Sequence, residues 1–511
     1  MLSSKNLSDK SLLVILDGFG LSDNSQKNAI ISAETPFIDS LFKTYPTTQI
    51  TAGGTAVGLP KGVAGNSEVG HLNLGSGRPV RQDLVRINEA IEQKALEQLP
   101  EFIKMLDNTK KDCIHLMGLL SDGGVHSHID HIKYIIDKIN SSGKKVFFHA
   151  FMDGRDTPKT NGVKYLKEIG QERSIKDFEI ASIQGRSIGM DRDRRWEKIE
   201  HAVKTLAGAG RIESADPLSY LEQQYAEGLF DEFVTPTLFS KDSAITDEDT
   251  VFFINFRPDR ARQITLALAQ PEFNEFEPIV RPHYFLCMTP YVEEEVELPI
   301  LFDKEKVKGG LSEYLSEVGI KQFKIAETEK YAHVTYFFNG GEKQPFPGEI
   351  HKLIESPREV KTYDEKPEMS AYLVTDALIE AIESDQYKAL FVNYANSDMV
   401  GHTGNFEAAV KAIEALDKCL AKLIPVCLKN QITVLLTADH GNSDQMVYPD
   451  GGPHTSHTGA PVPFSLISDK LENQQLELGQ TGPALKDVAP TFLWTMGIDI
   501  PDTFTGKPVF K

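Results

Sequence analysis

Cysteine is scarce in this chain. The 511 residues include four, at Cys113, Cys287, Cys419 and Cys427, and no two of them have C-x-x-C spacing. Disulfide-stapled domains and zinc sites made of closely spaced thiolates both need a denser pattern. Because each cysteine lies in an apolar run, we expect small buried side chains rather than a disulfide framework or a thiolate metal site.

Positive charge is also in short supply. Lys and Arg number 54 against 74 Asp and Glu, which leaves a formal net charge of −20. Nucleic acids and anionic membranes are bound mainly through basic surfaces, so the charge balance predicts neither as a partner. A small anionic ligand stays compatible with it, because a local group of arginines can focus a positive field.

Long apolar runs are absent as well. The first ten residues lack the apolar stretch of a secretion signal, and no run approaches the roughly 20 apolar residues that cross a bilayer. We therefore predict a cytoplasmic protein. A length of 511 residues exceeds what one core usually serves, which predicts two domains.

Short apolar runs that end abruptly in charged or small residues recur along the chain. They are residues 12–16 before Asp17, 113–120 before Asp122, 146–151 before Asp153, 251–256 before Arg257, 390–394 before Asp398, and 432–437 before Asp439 and His440. Continuous apolar runs of this length are typical of strands buried on both faces of a parallel sheet. Amphipathic spacing between them, as at 406–424, predicts helices and hence an α/β architecture.

The charged residues after these runs are where an α/β protein binds its ligands, outside the carboxyl ends of the strands. One such Asp alone would be a turn or helix-cap residue. The candidate metal ligands lie at both ends of the chain and the Arg-rich motifs in the middle. We therefore predict a discontinuous domain of residues 1–79 and 305–511, with residues 80–304 inserted.

Three carboxylates and three imidazoles form the predicted metal site: Asp17, Asp398, His402, Asp439, His440 and His457. Asp398 and His402 are four residues apart, so both can face one way on a helical turn. Mixed oxygen and nitrogen ligands suit Mn²⁺, Zn²⁺, Fe²⁺ or Co²⁺. Six ligands match a site for two ions, roughly 3.5–4 Å apart, that clamp a phosphoryl group.

Ser67 is the candidate nucleophile. It lies in Gly65-Asn66-Ser67-Glu68-Val69-Gly70-His71 and follows a Gly-rich segment. A serine at a helix start can present its hydroxyl to a phosphate that the helix amides stabilise. Asn66 or Ser67 could equally be a helix cap, and the motif alone leaves both interpretations open.

Arginines concentrate in the middle of the chain and predict an anion-binding site. They are Arg155, Arg186, Arg192, Arg257 and Arg260. Arg presents a planar fork that binds phosphate or carboxylate, although neighbouring Asp residues allow surface ion pairs instead. His126 could contact the same ligand, whereas Lys330 would by default be a solvated charge.

Ten motifs, in this order, resemble those of the cofactor-independent phosphoglycerate mutases of the alkaline phosphatase superfamily. They are LDGFG at 16–20, GNSEVGHLN at 65–73, SDGGVHSH at 121–128, DGRDTP at 153–158, MDRDRRW at 190–196, NFRPDRAR at 255–262, AETEKYAHVTYFFNGG at 326–341, DMVGHTG at 398–404, TADHGN at 437–442 and TSHT at 455–458. The resemblance runs nearly end to end.

The resemblance implies an isomerase of glycolysis that interconverts 3-phosphoglycerate and 2-phosphoglycerate without bisphosphoglycerate. It implies an alkaline-phosphatase-like, mostly parallel sheet flanked by helices, with a second α/β domain inserted as a transferase domain. It also implies a monomer with two Mn²⁺, one held by Asp398, His402 and His457. Asp17, Ser67, Asp439 and His440 would hold the other.

By the same resemblance, Ser67 carries a transient phosphoserine and Asp156 is the acid and base for the glycerate hydroxyls. The matching substrate positions are His126, Arg155, Asp156, Arg186, Arg192, Arg257, Arg260 and Lys330. Two segments depart from the family pattern. Ser187-Ile188-Gly189 replaces a segment that commonly has two aromatics, and Lys159-Thr160 replaces one that commonly has a second proline.

Two other functions are compatible with parts of this pattern. A phosphomonoesterase or phosphodiesterase of the same superfamily would need the metal site but not the Arg-rich middle. A non-catalytic metal-binding protein would need neither a nucleophile nor a substrate site, yet all the proposed ligands and Ser67 are present.

Overall fold

The computed structural model describes residues 7–24, 26–172, 175–292, 295–304 and 307–511. It divides into two compact units, unit 1 with residues Met1–Gln82 and Lys306–Lys511, and unit 2 with Asp83–Glu305. Each unit has its own sheet. Among the described residues, no helix is long and apolar enough to cross a membrane.

The strands are β1 Ser11–Leu16, β2 Thr47–Ile50, β3 Cys113–Leu120, β4 Lys145–Met152, β5 Phe178–Gly185, β6 Thr237–Leu238, β7 Thr250–Phe253, β8 Tyr284–Cys287, β9 Gln322–Glu327, β10 Glu349–Ile354, β11 Ala389–Tyr394, β12 Thr433–Thr437 and β13 Val462–Ile467. The helices are α1 Ala29–Ser32, α2 Pro36–Thr44, α3 Ser67–Ser76, α4 Asp83–Glu92, α5 Pro100–Asn108, α6 Ile129–Ser141, α7 Gly162–Gly170, α8 Arg186–Gly189, α9 Trp196–Leu206, α10 Pro217–Ala226, α11 Arg262–Ala269, α12 Leu311–Glu317, α13 Thr328–Ala332, α14 Ala371–Glu383, α15 Asn396–Gly401, α16 Phe406–Lys429 and α17 Val488–Thr495.

The sheet of unit 1 has seven strands in the order β10-β9-β11-β1-β12-β13-β2. The strands from β10 to β12 are parallel, whereas β13 is antiparallel to both β12 and β2. Every residue of β1, β11 and β12 is buried. Burial on both faces explains why these strands are continuous apolar runs rather than alternating ones.

The sheet of unit 2 has six strands in the order β6-β5-β4-β3-β7-β8. All neighbouring pairs are parallel except β5 with β6. Alternate residues of β3 point to opposite faces. Ile114 and Leu116 therefore pack in one hydrophobic core, and Met117 and Leu119 in another.

These two mostly parallel, helix-flanked sheets confirm the predicted α/β class. The strand predicted at 251–256 is shorter than expected and ends at Phe253. Beyond Phe253, the Asn255 side chain accepts the backbone N–H of Leu119 at 2.9 Å. This side-chain amide takes the place of a backbone hydrogen bond between β3 and β7. The helix predicted at 406–424 instead continues through Pro425 to Lys429, because Leu423, Ile424 and Cys427 extend its buried face.

Candidate active site

The carboxyl ends of neighbouring parallel strands in unit 1 carry a buried group of charged side chains. Asp17 follows β1, Asp398 lies in α15 after β11, and Asp439 and His440 follow β12. None of these four residues is more than 2% exposed. Because β11, β1 and β12 lie side by side, their ends bring together residues that are hundreds of positions apart.

Ser67 is the first residue of α3 and lies in the same buried group. Asn66 caps the helix by accepting the Val69 backbone N–H at 2.9 Å. The Ser67 hydroxyl is therefore not used for capping. Its Oγ lies 2.8 Å from Lys330 Nζ, 2.9 Å from His440 Nε2 and 3.2 Å from Asp17 Oδ1.

Lys330 is buried, unlike the solvated charge that a lone lysine in a polar motif would be. Its Nζ lies 2.7 Å from Asp17 Oδ1 and 2.6 Å from Asp398 Oδ2. Burial disfavours the ammonium, but the charges of Asp17 and Asp398 outweigh it and raise the pKa of Lys330. This side chain therefore keeps its positive charge beside Ser67.

Three histidines are held in one orientation by backbone carbonyls. The Nδ1 atoms of His402, His440 and His457 lie 2.8 Å from Thr455 O, 3.2 Å from Gly441 O and 3.1 Å from Gly65 O, respectively. A carbonyl oxygen only accepts, so each Nδ1 donates and each neutral ring keeps a lone pair on Nε2. Histidines that bind metals are oriented in this way.

The Nε2 lone pairs converge on carboxylate oxygens. Asp398 Oδ1 lies 3.2 Å from His402 Nε2 and 3.3 Å from His457 Nε2, and the two nitrogens are 3.1 Å apart. Three acceptors this close repel one another unless a cation or a proton lies among them. Buried carboxylates with imidazoles are also the donor set of divalent transition metals, so the residues present fit a metal.

This region contains two sets of three residues, and within each set the ligand atoms lie no more than 4.8 Å apart. One set is Asp398, His440 and His457, and the other is Asp17, His71 and Asp439. Burial opposes the ionisation of Asp17 and Asp398, but the Lys330 ammonium and the neighbouring histidines together outweigh it and hold both pKa values below the usual range. The same burial opposes the protonation of His440, yet the Asp439 carboxylate and other nearby acids raise its pKa to about 9.

His71 is a residue of this region that we did not predict from the sequence. Its Nδ1 lies 2.8 Å from Ser67 O and 3.2 Å from Asp439 Oδ2, while Asn393 Nδ2 lies 2.9 Å from its Nε2. Both ring nitrogens are thus engaged, which suits a residue that positions Asp439. His71 follows Ser67 by four residues on α3, and that helical spacing was a signal for it.

Two buried asparagines also orient the carboxylates; Asn442 ends the TADHGN motif, but neither asparagine is predicted as a site residue from the sequence. Asn393 Nδ2 donates to Asp17 Oδ2 at 2.7 Å, and Asn442 Nδ2 donates to Asp398 Oδ1 at 2.8 Å. Both asparagines are fully buried. Each asparagine binds one oxygen of its acid, and Lys330 contacts the other oxygen, which fixes both carboxylates.

A second group of predicted site residues lies in unit 2, around Arg186. This arginine is 1% exposed, and its Nη1 lies 2.6 Å from Asp153 Oδ1 and 2.5 Å from Asp156 Oδ2. His126 Nε2 is 3.9 Å from the same Asp156 oxygen. The pair of Arg186 with Asp153 is therefore buried, whereas the pair with Asp156 is partly exposed, and Asp153 is a partner that is not assigned to the site from the sequence.

Asp259 lies among two further arginines and His126. Its carboxylate lies 2.7 Å from Arg192 Nη1, 3.1 Å from Arg257 Nε and 3.7 Å from His126 Nδ1. Burial and the charge of Arg186 lower the pKa of His126 to about 4, so its ring is neutral at pH 7. A neutral ring can donate from one nitrogen and accept at the other.

Arg260 and Arg155 contribute charge with fewer direct contacts. Arg260 Nη1 donates to Met190 O at 3.1 Å, and burial followed by the charges of Arg186, Arg192 and Arg155 lowers its pKa. Arg155 is half exposed and lies 3.9 Å from Glu232. The structure thus places all five arginines within electrostatic reach of Arg260 or of Asp259.

The two segments that depart from the family pattern lie beside this group. Gly189 ends α8, and a Cβ there would lie 2.9 Å from Gln184 Cδ, so the Gln184 side chain uses the space. Lys159 Nζ lies 4.2 Å from the Phe230 ring centroid. Neither departure removes a contact of Arg186 with Asp153 or Asp156.

Comparisons with known proteins agree with these sites. Residues 9–500 match the model of the Metalloenzyme superfamily. A 2,3-bisphosphoglycerate-independent phosphoglycerate mutase from Clostridium perfringens is 46% identical over 97% of this chain and 98% of its own. The enzyme of that name from Clostridium novyi is 47% identical over 98% of this chain and 99% of its own.

A solved structure is similar over the same extent. It is the Leishmania mexicana phosphoglycerate mutase crystallised at low cobalt concentration, with a TM-score of 0.69 and 31% identity. The match covers 99% of this chain and 98% of that one. The chain therefore belongs to the 2,3-bisphosphoglycerate-independent phosphoglycerate mutases, within the Metalloenzyme superfamily.

Proposed function

We propose that this chain interconverts 3-phosphoglycerate and 2-phosphoglycerate through a phosphoserine on Ser67, at a site for two Mn²⁺ ions. The observation that carries the proposal is the position of the Ser67 hydroxyl. It lies 2.8 Å from a buried ammonium and 2.9 Å from a histidine whose partners are carboxylates. Such a hydroxyl faces the groups that a phosphoryl transfer needs.

The reaction class follows from the family. Relatives that are 46–47% identical over nearly the whole chain are phosphoglycerate mutases that work without bisphosphoglycerate. The chain is accordingly a metal-dependent isomerase whose substrate is a small phosphoglycerate. The phosphoserine, the identity of the metal and the number of ions are our own proposals.

We assign one ion to Asp398, His402 and His457, and the other to Asp17, Ser67, Asp439 and His440. The cluster offers these ligands as carboxylates, as the Ser67 hydroxyl and as imidazoles whose Nε2 atoms face the carboxylates, and an ion would replace the proton of His440. When bound, the ions would neutralise charge on the phosphoryl oxygens and lower the pKa of the serine hydroxyl. His440 Nε2 lies 3.5 Å from Asp17 Oδ1, which supports placing these two side chains on one ion.

The steps assigned to this chain's own residues begin with attack of Ser67 Oγ on phosphorus, after its hydroxyl proton has passed to solvent. Oγ leaves again without a proton when the phosphoryl group returns to glycerate. Lys330 stabilises negative charge on the transferring group, because its raised pKa keeps the side chain protonated at neutral pH. The glycerate oxygen that leaves phosphorus takes a proton from Asp156. Asp156 then removes the proton of the other hydroxyl, which attacks the phosphoserine.

Glycerate must stay bound while phosphate is on Ser67. We assign its carboxylate, the group that does not react, to the arginines of unit 2 with His126. A planar guanidinium binds a carboxylate in a forked arrangement. Arg186 already contacts Asp153 and Asp156 through Nη1, and Arg192 and Arg257 each contact Asp259 through one nitrogen, which leaves their other nitrogens for the substrate.

The decisive experiment assays 3-phosphoglycerate conversion without bisphosphoglycerate, with and without a chelator, on wild type and Ser67→Ala. We expect the alanine variant to lose essentially all turnover, and the chelated wild type to recover with Mn²⁺. Ser76→Ala is a matched control, because Ser76 lies at the other end of α3 and its Oγ contacts Arg78 O. Full activity of Ser67→Ala would refute the phosphoserine.

A hydrolase of the same superfamily gives a different result in this assay. Inorganic phosphate would then be released faster than 2-phosphoglycerate forms. Metal analysis of the active protein distinguishes Mn²⁺ from Zn²⁺, Co²⁺ and Fe²⁺, and one ion per chain would contradict the two-ion assignment. We further propose a cytoplasmic monomer, which sedimentation and cell fractionation test.

A further inference from the structure

A mixed cluster of metal-ligating side chains lies in unit 2, where nothing in the mutase reaction uses it. Cys113 and His115 are two residues apart on β3, so their side chains share one face. Asp249 directly precedes β7, the parallel neighbour of β3. One ligand atom from each of the three residues lies within 4.8 Å of the others.

A chain of hydrogen bonds fixes the His115 ring. Its Nδ1 lies 2.9 Å from His149 Nε2, and His149 Nδ1 lies 2.8 Å from Ser182 Oγ. All three residues are at most 1% exposed. When His149 donates to Ser182, His115 donates from Nδ1 and keeps its Nε2 lone pair. Metal-binding histidines commonly donate their second nitrogen in this way.

The Nε2 atom of His115 faces Asp249 without reaching it. Nε2 and Asp249 Oδ1 are 3.6 Å apart, which exceeds a hydrogen-bond length for either tautomer. Two ligands on a tetrahedral ion with bonds of about 2.1 Å are separated by roughly 3.4 Å. The gap between these atoms therefore has the size that such an ion needs.

The two oxygens of the Asp249 carboxylate have different sets of partners. Its Oδ2 accepts the backbone N–H of Thr246 at 2.8 Å and the Thr246 hydroxyl at 2.7 Å. The ammonium of Lys111 lies 2.9 Å from Oδ1 and donates to Oδ2 at 3.0 Å and to the Thr246 hydroxyl at 2.9 Å. Because Lys111 is 36% exposed, an incoming cation would displace its ammonium from Oδ1 towards solvent.

We propose that Cys113, His115 and Asp249 bind a divalent ion of the zinc type, with water as the fourth ligand. A thiolate, an imidazole and a carboxylate together select Zn²⁺ or Co²⁺ over Mg²⁺ or Ca²⁺. Cys113 is partly exposed, which gives the ion a way in. The bound ion would tie the amino-terminal ends of β3 and β7 together.

This site differs from the unit 1 cluster in one measurable respect. The residues that we assign to the mutase metals include no cysteine, so a thiolate–metal bond reports only the unit 2 site. The C-x-x-C criterion misses it, because its ligands come from a C-x-H pair on one strand and an Asp on the next.

The test is Co²⁺ titration of the full-length chain, followed by the thiolate-to-cobalt charge-transfer absorption in the near ultraviolet. We expect this band in wild type and in Cys287→Ala, which alters the other cysteine of unit 2. Cys113→Ser is expected to lose the band and one equivalent of bound cobalt. Mutase activity reports whether the variant folds, since Cys113 has no part in the reaction. A band that persists in Cys113→Ser, or its absence from wild type, overturns the proposal.

A second variant tests the hydrogen-bonded chain behind His115. His149→Gln leaves all three ligands in place but disturbs the donor–acceptor order that orients them. Such changes typically weaken metal binding about 10–100-fold. Competition of Zn²⁺ against a chromophoric chelator, compared between His149→Gln and wild type, measures this. Subtracting the Zn²⁺ binding of the corresponding Cys113→Ser derivative isolates the unit 2 site in each protein. If the affinity of that site is the same in His149→Gln and in wild type, the assigned role of His149 is wrong.

Discussion

Lys330 would be expected at the surface from its polar motif, but its side chain is buried among carboxylates. Its ammonium lies between Asp17 and Asp398 and contacts Ser67 Oγ. We expect Lys330→Met to lower kcat by about 10²–10³-fold, because it removes a fixed positive charge from the phosphoryl site. Steady-state kinetics with saturating metal measure this. Lys388→Met is the control, since Lys388 pairs with Asp9 at the surface, and equal losses in both variants would contradict the assigned role.

In unit 2, Arg186 is the buried cation that contacts two carboxylates, as Lys330 is in unit 1. Its Nη1 contacts both Asp153 and Asp156, which leaves the buried Nε for a ligand, and a lysine ammonium has no second nitrogen to offer there. We expect Arg186→Lys to raise KM for 3-phosphoglycerate about tenfold or more, which corresponds to about 1.4 kcal/mol. Arg195→Lys is a matched exposed control from the same segment. A KM that changes equally in the two variants would remove Arg186 from the substrate site.

Helix α3 shows how an element places a reactive group. Asn66 accepts the Val69 N–H and thereby starts the helix at Ser67. We expect Asn66→Ala to cost about 1 kcal/mol of stability, as loss of a helix cap does. It should also lower kcat, because Ser67 loses its fixed position. The measurements are urea unfolding and steady-state kinetics.

The control for this prediction is a cap elsewhere. Asp216 caps α10 by accepting the Ser219 N–H at 3.0 Å. Asp216→Ala should cause a similar loss of stability without an equal loss of kcat. If the two variants lose activity in parallel, α3 has no special role in presenting Ser67.

Strand β9 ends in a buried acid, Glu327, that couples the fold to pH. Its carboxyl accepts the Ser356 hydroxyl at 2.8 Å, and burial raises its pKa from the usual 4.5 to about 7. The folded state therefore holds this proton more tightly than the unfolded chain. The resulting stability is fully present below about pH 4.5 and is lost as the pH rises through 7.

The stability of the whole molecule should show this loss. We expect Glu327→Gln to gain stability relative to wild type by about 3 kcal/mol between pH 4.5 and pH 8, since the glutamine never ionises. Urea unfolding of both proteins in the same buffers measures the difference. Glu355→Gln, an exposed site on the next segment, should show no such trend. A constant difference for Glu327→Gln would contradict the raised pKa.

At the scale of the whole molecule, the α/β class and the family could be predicted from the sequence. Continuous apolar runs ending in Asp17 or Asp439 reflect local chemistry, because a strand buried on both faces must be apolar throughout. The parallel sheets confirm the class, and relatives at 46–47% identity confirm the family. The individual site residues remain predictions that the variants above test.

Only the tertiary structure decided how these residues meet. Burial of Lys330, the use of both nitrogens of His71, and the pairing of Arg186 with Asp153 depend on side chains from distant segments. Periodicity and motif spacing describe neighbours along one strand or helix, whereas contacts between strands depend on the order of the sheet. For the same reason, the cluster of Cys113, His115 and Asp249 became visible only when β3 and β7 were seen to be adjacent.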